Sequence, residues 1–304
     1  MEPTKLIWIN GEMTPWEDAN FHFLTHGLHY GTGVFEGIRA YETPQGTEVF
    51  RLTDHMERLR KGSKAYWIPV KYSTQELVDA VKFVVRENGL VEGYIRPLAF
   101  FGGGSMGLNP QAADPMLVIA CWPWGTYLGD EGVRNGIRVK VSSWRRIDQN
   151  SFMPNAKGTG GYLNSVLAKQ EALRAGYDEA LLLNNDGMVS EGSGENLFLV
   201  SNGDVFTPPV ASGILAGITR DSVMTILRDG GYEVSERVIT RSDVYFADEL
   251  FLTGTAAEVT PVREVDDREI GIGKPGPITR FVQERYMAIV KGETPDHDEW
   301  REYV

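Results

Sequence analysis

Asn155-Ala156-Lys157-Gly158-Thr159-Gly160-Gly161-Tyr162-Leu163-Asn164 sets one lysine between short residues at the mouth of an expected helix, with a tyrosine five positions on. Alone, a lysine reads as a solvated surface amine. The neighbours of Lys157 are small, however, and small residues let a bulky group approach the backbone closely. A lysine that is desolvated, or that lies near other cations, loses its proton more readily and can add to a carbonyl. The stretch therefore marks a candidate nucleophilic amine.

Three further segments carry chemistry downstream. In Val189-Ser190-Glu191-Gly192-Ser193-Gly194-Glu195-Asn196-Leu197-Phe198, Glu191 lies in a Gly/Ser stretch that feeds a strand. By itself it is an acidic turn residue; against a heteroaromatic ring nitrogen it would keep that nitrogen protonated and the ring electron-poor. In Gly213-Ile214-Leu215-Ala216-Gly217-Ile218-Thr219-Arg220-Asp221, a glycine-punctuated loop runs into a helix. The amides of Ile218 and Thr219 then have no intrahelical acceptor, which suits a phosphate. Leu252-Thr253-Gly254-Thr255-Ala256-Ala257-Glu258-Val259-Thr260-Pro261 offers hydroxyls and amides at a strand end.

The chain has 304 residues, which suggests two domains. Asn10-Gly11 between apolar runs is a hairpin signal. A helix is expected near 53–67, and a second opens at Ser73 with Glu76 as a capping box and closes before Gly89. Residues 94–101 read as a strand and 116–122 as a buried one. The aperiodic, Gly- and aromatic-rich segment after Pro123 reads as a connection. The expected division is a small domain over 1–122, an interdomain loop over 123–135 and a large domain over 136–304 that carries Lys157. In the large domain, closely spaced short strands predict mostly antiparallel pairing, with helices near 162–175, 218–229 and 277–290.

Composition narrows the partners. Thirty basic residues against forty-two acidic ones give a net charge of −12, which disfavours nucleic acid and anionic membrane surfaces. No apolar run is long enough to span a bilayer, and the first residues show no secretory pattern. The single cysteine, Cys121, fits a reducing cytoplasm. Two motifs fail on inspection. Gly102-Gly103-Gly104-Ser105-Met106-Gly107 matches a dinucleotide fingerprint, but Pro110 and Pro115 deny it the helix that must follow. His22, His26 and His29 have helical spacing, yet no carboxylate or thiol completes a ligand set, so no metal is expected.

Taken together and in this order, the segments resemble the fold-type IV pyridoxal-phosphate enzymes, and among them the branched-chain amino-acid aminotransferases. The resemblance also covers Gly31-Thr32-Gly33-Val34-Phe35-Glu36-Gly37-Ile38-Arg39, His55-Met56-Glu57-Arg58-Leu59, Tyr94-Ile95-Arg96-Pro97 and Gly273-Lys274-Pro275-Gly276-Pro277-Ile278-Thr279. It implies an α+β (mixed α/β) fold of two domains, a small α/β N-terminal one and a larger C-terminal pseudo-β-barrel. It implies pyridoxal 5′-phosphate bound covalently at Lys157, with Glu191 at the pyridine nitrogen and Tyr162 at the phenolic oxygen. Arg58, the amides of Ile218 and Thr219, and Thr255 would hold the phosphate, with Gly194, Leu215 and Gly217 also lining the cofactor site. Thr255 and Ala256 would receive the substrate α-carboxylate. Tyr30, Phe35, Gly37, Tyr94 and Tyr127 would line the side-chain pocket, and Arg96 would pair with the distal carboxylate of glutamate.

The implied reaction is ping-pong transamination of leucine, isoleucine and valine with 2-oxoglutarate. Its partners are amino acids and 2-oxo acids, and its state is a homo-oligomer, a dimer at least and a hexamer as the larger alternative. D-amino-acid and (R)-amine transaminases and aminodeoxychorismate lyases share the lysine and glutamate but differ around Tyr94-x-Arg96-Pro97. A cofactor carrier without turnover would need no ring-nitrogen carboxylate.

Overall fold

The computed structural model describes residues 2–125 and 127–304. Asn10 and Gly11 both take positive φ, 49° and 109°, as a two-residue hairpin turn requires. The strands Leu6–Ile9 and Glu12–Pro15 pair antiparallel across them, Ile9 opposite Glu12. This hairpin is one edge of an eight-stranded sheet. From the opposite edge the order is Arg301–Tyr303, Gly46–Phe50, Ile38–Thr43, Gly93–Phe101, Pro115–Trp122, Leu6–Ile9 and Glu12–Pro15, with Gly33–Phe35 also paired to Gly93–Phe101.

One face of this sheet, with Ile38, Ala40, Val49, Ile95, Ile119 and Cys121, packs on the helices Leu52–Ala65 and Thr74–Asn88 to form a continuous core. The second helix starts at the expected capping box: Ser73 Oγ accepts from Glu76 N, and Glu76 accepts from Ser73 N. Alternation sends the neighbouring strand residues, Arg39, Tyr41, Glu48, Tyr94 and Arg96, to the other face. The glycine run from Gly102 has no helix after it; only the short turn Pro110–Ala112 follows.

The histidines sit beside that loop. A five-residue helix, His26–Tyr30, forms despite Gly27, and buried His26 donates from Nε2 to Gly107 O (2.9 Å) while Nδ1 meets Thr32 Oγ1 at 2.8 Å. These bonds tie the helix to the glycine loop.

The second sheet has nine strands, ordered Val189–Gly192, Glu179–Leu183, Ile137–Arg145, Glu258–Val265, Glu249–Gly254, Asn196–Ser201, Asp204–Thr207 and Val234–Glu236, with Arg268–Glu269 paired to Glu258–Val265. Its pairing is more mixed than expected. Ile137–Arg145 runs parallel to both Glu179–Leu183 and Glu258–Val265, and Asp204–Thr207 runs parallel to Val234–Glu236. A parallel neighbour needs a long crossover. Tyr162–Arg174 and Ile218–Asp229 are two such crossovers, so the expected helices themselves create two of the three parallel pairs.

The chain divides into two compact units, one of residues 2–125, 156–161 and 289–304, the other of 127–155 and 162–288. This departs from the division expected above. Residues 156–161, with Lys157, group with the first unit because Phe35 N donates to Lys157 O (3.0 Å) and Val34 bridges Gly158. The C-terminal strand joins the first sheet through Arg301–Tyr303. Within 123–135 the helix Gly129–Asn135 forms; it is too short, and too rich in glycine, to show a period. Thr126, in the same stretch, lies outside the described residues.

Glu48, opposite both Tyr41 and Tyr303, is wholly buried, and neither carboxylate oxygen has a hydrogen-bond partner among the described residues. Burial pushes its pKa up to about 9, against the pull of Arg301 and Lys291. The folded chain therefore holds a proton that the unfolded chain, at the ordinary value of 4.5, releases. The stabilisation is complete below pH 4.5 and is lost as pH rises through about 9. Thermal unfolding across pH 5–10 is expected to show Glu48→Gln flattening this decline; an unchanged slope would remove Glu48 as its source.

Candidate active site

Four consecutive residues organise a group of side chains in the first unit. Val34 lies within the short strand Gly33–Phe35 and bridges Gly158. Phe35 donates its backbone N–H to Lys157 O, and its ring centroid lies 5.2 Å from Lys157 Nζ and 4.6 Å from Arg96 Cζ. Both distances fall within cation–π range. Glu36 is fully buried and accepts Arg58 Nε at Oε1 (2.7 Å), Arg58 Nη2 at Oε2 (2.8 Å) and His55 Nδ1 at Oε2 (2.7 Å). Gly37 faces Tyr94 so closely that a Cβ would lie 1.8 Å from the phenol oxygen.

Charge in this group is settled by pairing. Burial works to raise the Glu36 pKa, but Arg58 and then His55 outweigh it and hold the carboxyl well below the usual range. Burial pushes the His55 pKa down, against Glu36 and with the help of Arg58 and Lys157, so His55 stays neutral and donates from Nδ1. Arg96 reaches Tyr94 Oη with Nη2 at 3.3 Å, whereas its Nε is buried and meets no acceptor among the described residues.

The second unit assembles a different group around Glu191. Oε1 pairs with Arg146 Nη2 at 2.8 Å, and Oε2 accepts from Leu215 N (2.9 Å) and Asn196 Nδ2 (3.2 Å). Asn196 Nδ2 also donates to Leu215 O, which locks the loop ahead of Ile218–Asp229. Gly217 is the N-cap of that helix and has no side chain with which to cap it. A Cβ there would lie 2.0 Å from Asn196 Oδ1. Thr219 is buried in the first turn.

Glu195 is buried nearby, its pKa raised to about 8 by burial first and then by the negative charge of Glu179, with a smaller push from Glu191. Thr255 and Ala256 form the turn after the strand Glu249–Gly254, half-buried, and Gly194 O lies 3.3 Å from the position a Gly254 Cβ would take. The buried hydroxyls of Ser190 and Thr253 make no hydrogen bond among the described residues.

Most anticipated residues thus fall into two groups. Phe35, Gly37, Arg58, Tyr94, Arg96 and Lys157 gather in the first unit; Glu191, Leu215, Gly217, Ile218 and Thr219 gather in the second. Tyr162 is half-buried at the start of Tyr162–Arg174. Two tyrosines lie apart: Tyr30 is exposed and donates to Met106 O (2.9 Å), and exposed Tyr127 lies under Lys169 Nζ at 5.4 Å.

Glu36, His55, Arg146 and Asn196 hold the key side chains, and none was assigned a role from the sequence. Glu36, His55 and Asn196 stand inside the quoted motifs, where an acid two positions after Val34 and a histidine three before Arg58 are the available signal. Arg146 directly follows the strand Ile137–Arg145, and no local signal marks it.

Residues 33–265 match the model of the family described as amino-transferase class IV. The chain is 48% identical over 299 residues to a branched-chain-amino-acid aminotransferase of Pseudomonas aeruginosa, covering 98% of this chain and 97% of that protein. Among solved structures, the Escherichia coli branched-chain amino acid aminotransferase aligns with a TM-score of 0.96 at 47% identity, covering 98% of this chain and 99% of that one. The branched-chain amino acid aminotransferase of Thermobaculum terrenum, in its PLP-bound holo form, aligns at 0.92 and 37% identity, over 99% of each chain.

Removing one partner of a buried ion pair costs more than the pair contributes, because a charge is left behind. Glu36→Ala is therefore expected to destabilise the protein by about 3–5 kcal/mol in urea unfolding. Arg58→Ala should cost much less in the Glu36→Ala background than in the wild type. Strictly additive losses would show that the two residues do not act as a pair.

Proposed function

The chain belongs to the amino-transferase class IV family, and from that premise we propose which residues carry out its reaction and that 2-oxoglutarate is the amino acceptor. The reaction is pyridoxal-phosphate-dependent transamination of branched-chain amino acids. The observation that supports the assignment best is the Val34–Gly37 segment, which by itself fixes Lys157, Arg58 and Arg96.

The donor set suits a phosphorylated pyridine aldehyde. Lys157 supplies an amine for the aldehyde, Arg58 a cation for the phosphate and Glu191 a carboxylate for the ring nitrogen. The helix start at Gly217 supplies amides where no Cβ would fit. When bound, pyridoxal phosphate supplies an aldehyde that takes up the amino group and an electron-poor ring that stabilises negative charge at the substrate Cα.

The side chains do the rest. Lys157 would act as general base and then as acid, taking the proton from the substrate Cα and delivering it to the cofactor's C4′, with the same transfer run backwards in the second half-reaction. Glu191, oriented by Arg146, Asn196 and the Leu215 amide, keeps positive charge at the ring nitrogen. Arg58, its guanidinium plane set by Glu36, binds the phosphate together with the amides of Ile218 and Thr219 and the Thr255 hydroxyl. Tyr162 donates to the phenolic oxygen, and the Thr255 and Ala256 amides receive the α-carboxylate. Gly194, Leu215 and Gly217 line the cofactor.

One pocket must accept both an isobutyl group and a second carboxylate. The faces of Phe35 and Tyr94 suit the first, and the buried, unpartnered Nε of Arg96 suits the second. Gly37 keeps the wall thin enough for Tyr94 to lie against it. Tyr127, exposed beside Lys169, is assigned to substrate binding on the family resemblance alone.

We place the enzyme in the cytoplasm and assign it a homo-oligomer, a dimer at least. No described helix is long and apolar enough to cross a membrane. Phe23, Leu24, Leu28 and Leu108 are exposed beside an apolar cavity of about 310 Å³ lined by Phe21, Leu28, Leu98, Phe100 and Val118. A patch of this kind marks a protein–protein contact, and a second copy covering it would enclose Tyr30 and the 102–110 loop.

Borohydride treatment of the loaded protein should fix the cofactor to Lys157, and the enzyme should aminate 2-oxoglutarate from L-leucine, L-isoleucine or L-valine in preference to D-alanine or (R)-phenylethylamine. An adduct mapped elsewhere would overturn the lysine assignment, and a preference for the D- or (R)-substrates would overturn the stereochemical one. Arg96→Ala should reduce kcat/KM for 2-oxoglutarate by about 10–100-fold more than for 4-methyl-2-oxopentanoate, the value of a lost charged hydrogen bond. Equal losses for both acids would show that Arg96 does not read the distal carboxylate.

A further inference from the structure

The helix Leu52–Ala65 carries Arg58 on its inner side. Its far end opens onto a separate cavity of about 610 Å³, lined by Arg60, Lys61, Lys64, Trp67, Ile68, Pro69, Val70 and Gln111. That size lies within the range of about 300–1,000 Å³ usual for small-ligand sites. In a chain with a net charge of −12, three cations and no carboxylate line this wall.

Trp67 is the unusual residue. The helix ends in a Schellman cap, with Trp67 N donating to Lys64 O (3.2 Å) and Ile68 N to Ser63 O (2.9 Å). The residue between, Trp67, takes φ 54°, the left-handed conformation for which helices ordinarily use glycine or asparagine. A bulky side chain there strains the backbone, and burial does not offset the strain, because Trp67 is 80% exposed. Ile68, which follows, is buried and already supplies the apolar contact that closes such a cap. The fold therefore needs a turn at residue 67 but has no use for an indole.

Helix-dipole compensation explains a cation in the last turn, which Lys64 provides. It leaves the indole unexplained. Lys61 pairs with Glu57 at 3.0 Å and Arg60 Nη1 donates to Thr74 Oγ1 at 3.1 Å, which hold both at the rim. The site then has an aromatic plate, an apolar floor of Pro69 and Val70, an amide at Gln111 and a cationic rim.

We propose that this cavity binds a phosphorylated planar heterocycle of the mononucleotide class, its ring stacked on Trp67 and its phosphate held by Arg60 and Lys64. Ring and phosphate both contribute, through stacking and charge-assisted hydrogen bonds.

Titration calorimetry of the cofactor-loaded enzyme with AMP tests this, with adenosine and inorganic phosphate as separate arms; loading keeps the phosphate groups at Arg58 engaged. AMP is expected to bind more tightly than either fragment, and Lys64→Glu and Trp67→Gly should each weaken it about tenfold or more. Trp67→Gly should at the same time raise the melting temperature, because it relieves the strained turn, and leave transamination unchanged. No heat with AMP at millimolar concentration would overturn the proposal. So would binding that both substitutions leave intact, or a fall in melting temperature for Trp67→Gly, which would give the indole a structural role instead.

Discussion

The Glu36 carboxylate is the constraint on which the first unit's chemistry depends. Burying a carboxylate is costly unless every lone pair it loses to solvent finds a donor. Glu36 meets that requirement with three N–H groups from one helix, two from Arg58 and one from His55. The same three bonds then fix the position of the helix Leu52–Ala65 relative to the strand that precedes Glu36. Phe35, one residue earlier, holds the backbone of Lys157, so the lysine and the arginine are set by adjacent residues of one extended segment. The lysine and the arginine are thereby held with very little slack between them.

Much of this was legible in the sequence because the relevant signals are local. The Asn10-Gly11 turn, the Ser73 capping box, and the helices starting at Tyr162, Ile218 and Pro277 depend on residues within a turn of each other, and they form where expected. Lys157 and Glu191 are joined in one assignment only through the family resemblance. The supporting partners were not legible. Glu36 meets Arg58 across 22 residues of sequence, and Arg146 meets Glu191 across a helix and a strand. Contacts of that kind are products of the tertiary fold and leave no mark on local spacing. The compact units differ from the expected division for the same reason: residues 156–161 group with the first unit through a few backbone bonds to Gly31, Val34 and Phe35, which no composition shift reports.

Close approach accounts for the glycines that matter. Gly37 and Gly217 take ordinary φ values, so neither is required by backbone conformation. Both are required by space, against the Tyr94 phenol in one case and the Asn196 amide in the other. In each, the neighbouring side chain orients a functional group, Tyr94 beneath Arg96 and Asn196 on Glu191. A methyl group at either position would therefore act through its neighbour, turning the arginine or the carboxylate rather than blocking a ligand directly.

The helix Leu52–Ala65 shows how one element can serve opposing demands. Its inner face must be rigid, and His55, Met56, Leu59 and Gly62 are buried there; a Cβ at Gly62 would lie 2.9 Å from Val34 Cγ1 and 3.5 Å from Ala156 Cβ. Any rotation of the helix would therefore be felt at the residues flanking Lys157. Its outer end, by contrast, stores strain at Trp67 and gathers cations at the surface. Strain of this kind persists only where the surrounding structure over-determines the backbone, and the cap hydrogen bonds to Lys64 and Ser63 together with buried Ile68 supply that determination. A rigid, close-packed face and a costly backbone conformation thus coexist at opposite ends of one helix.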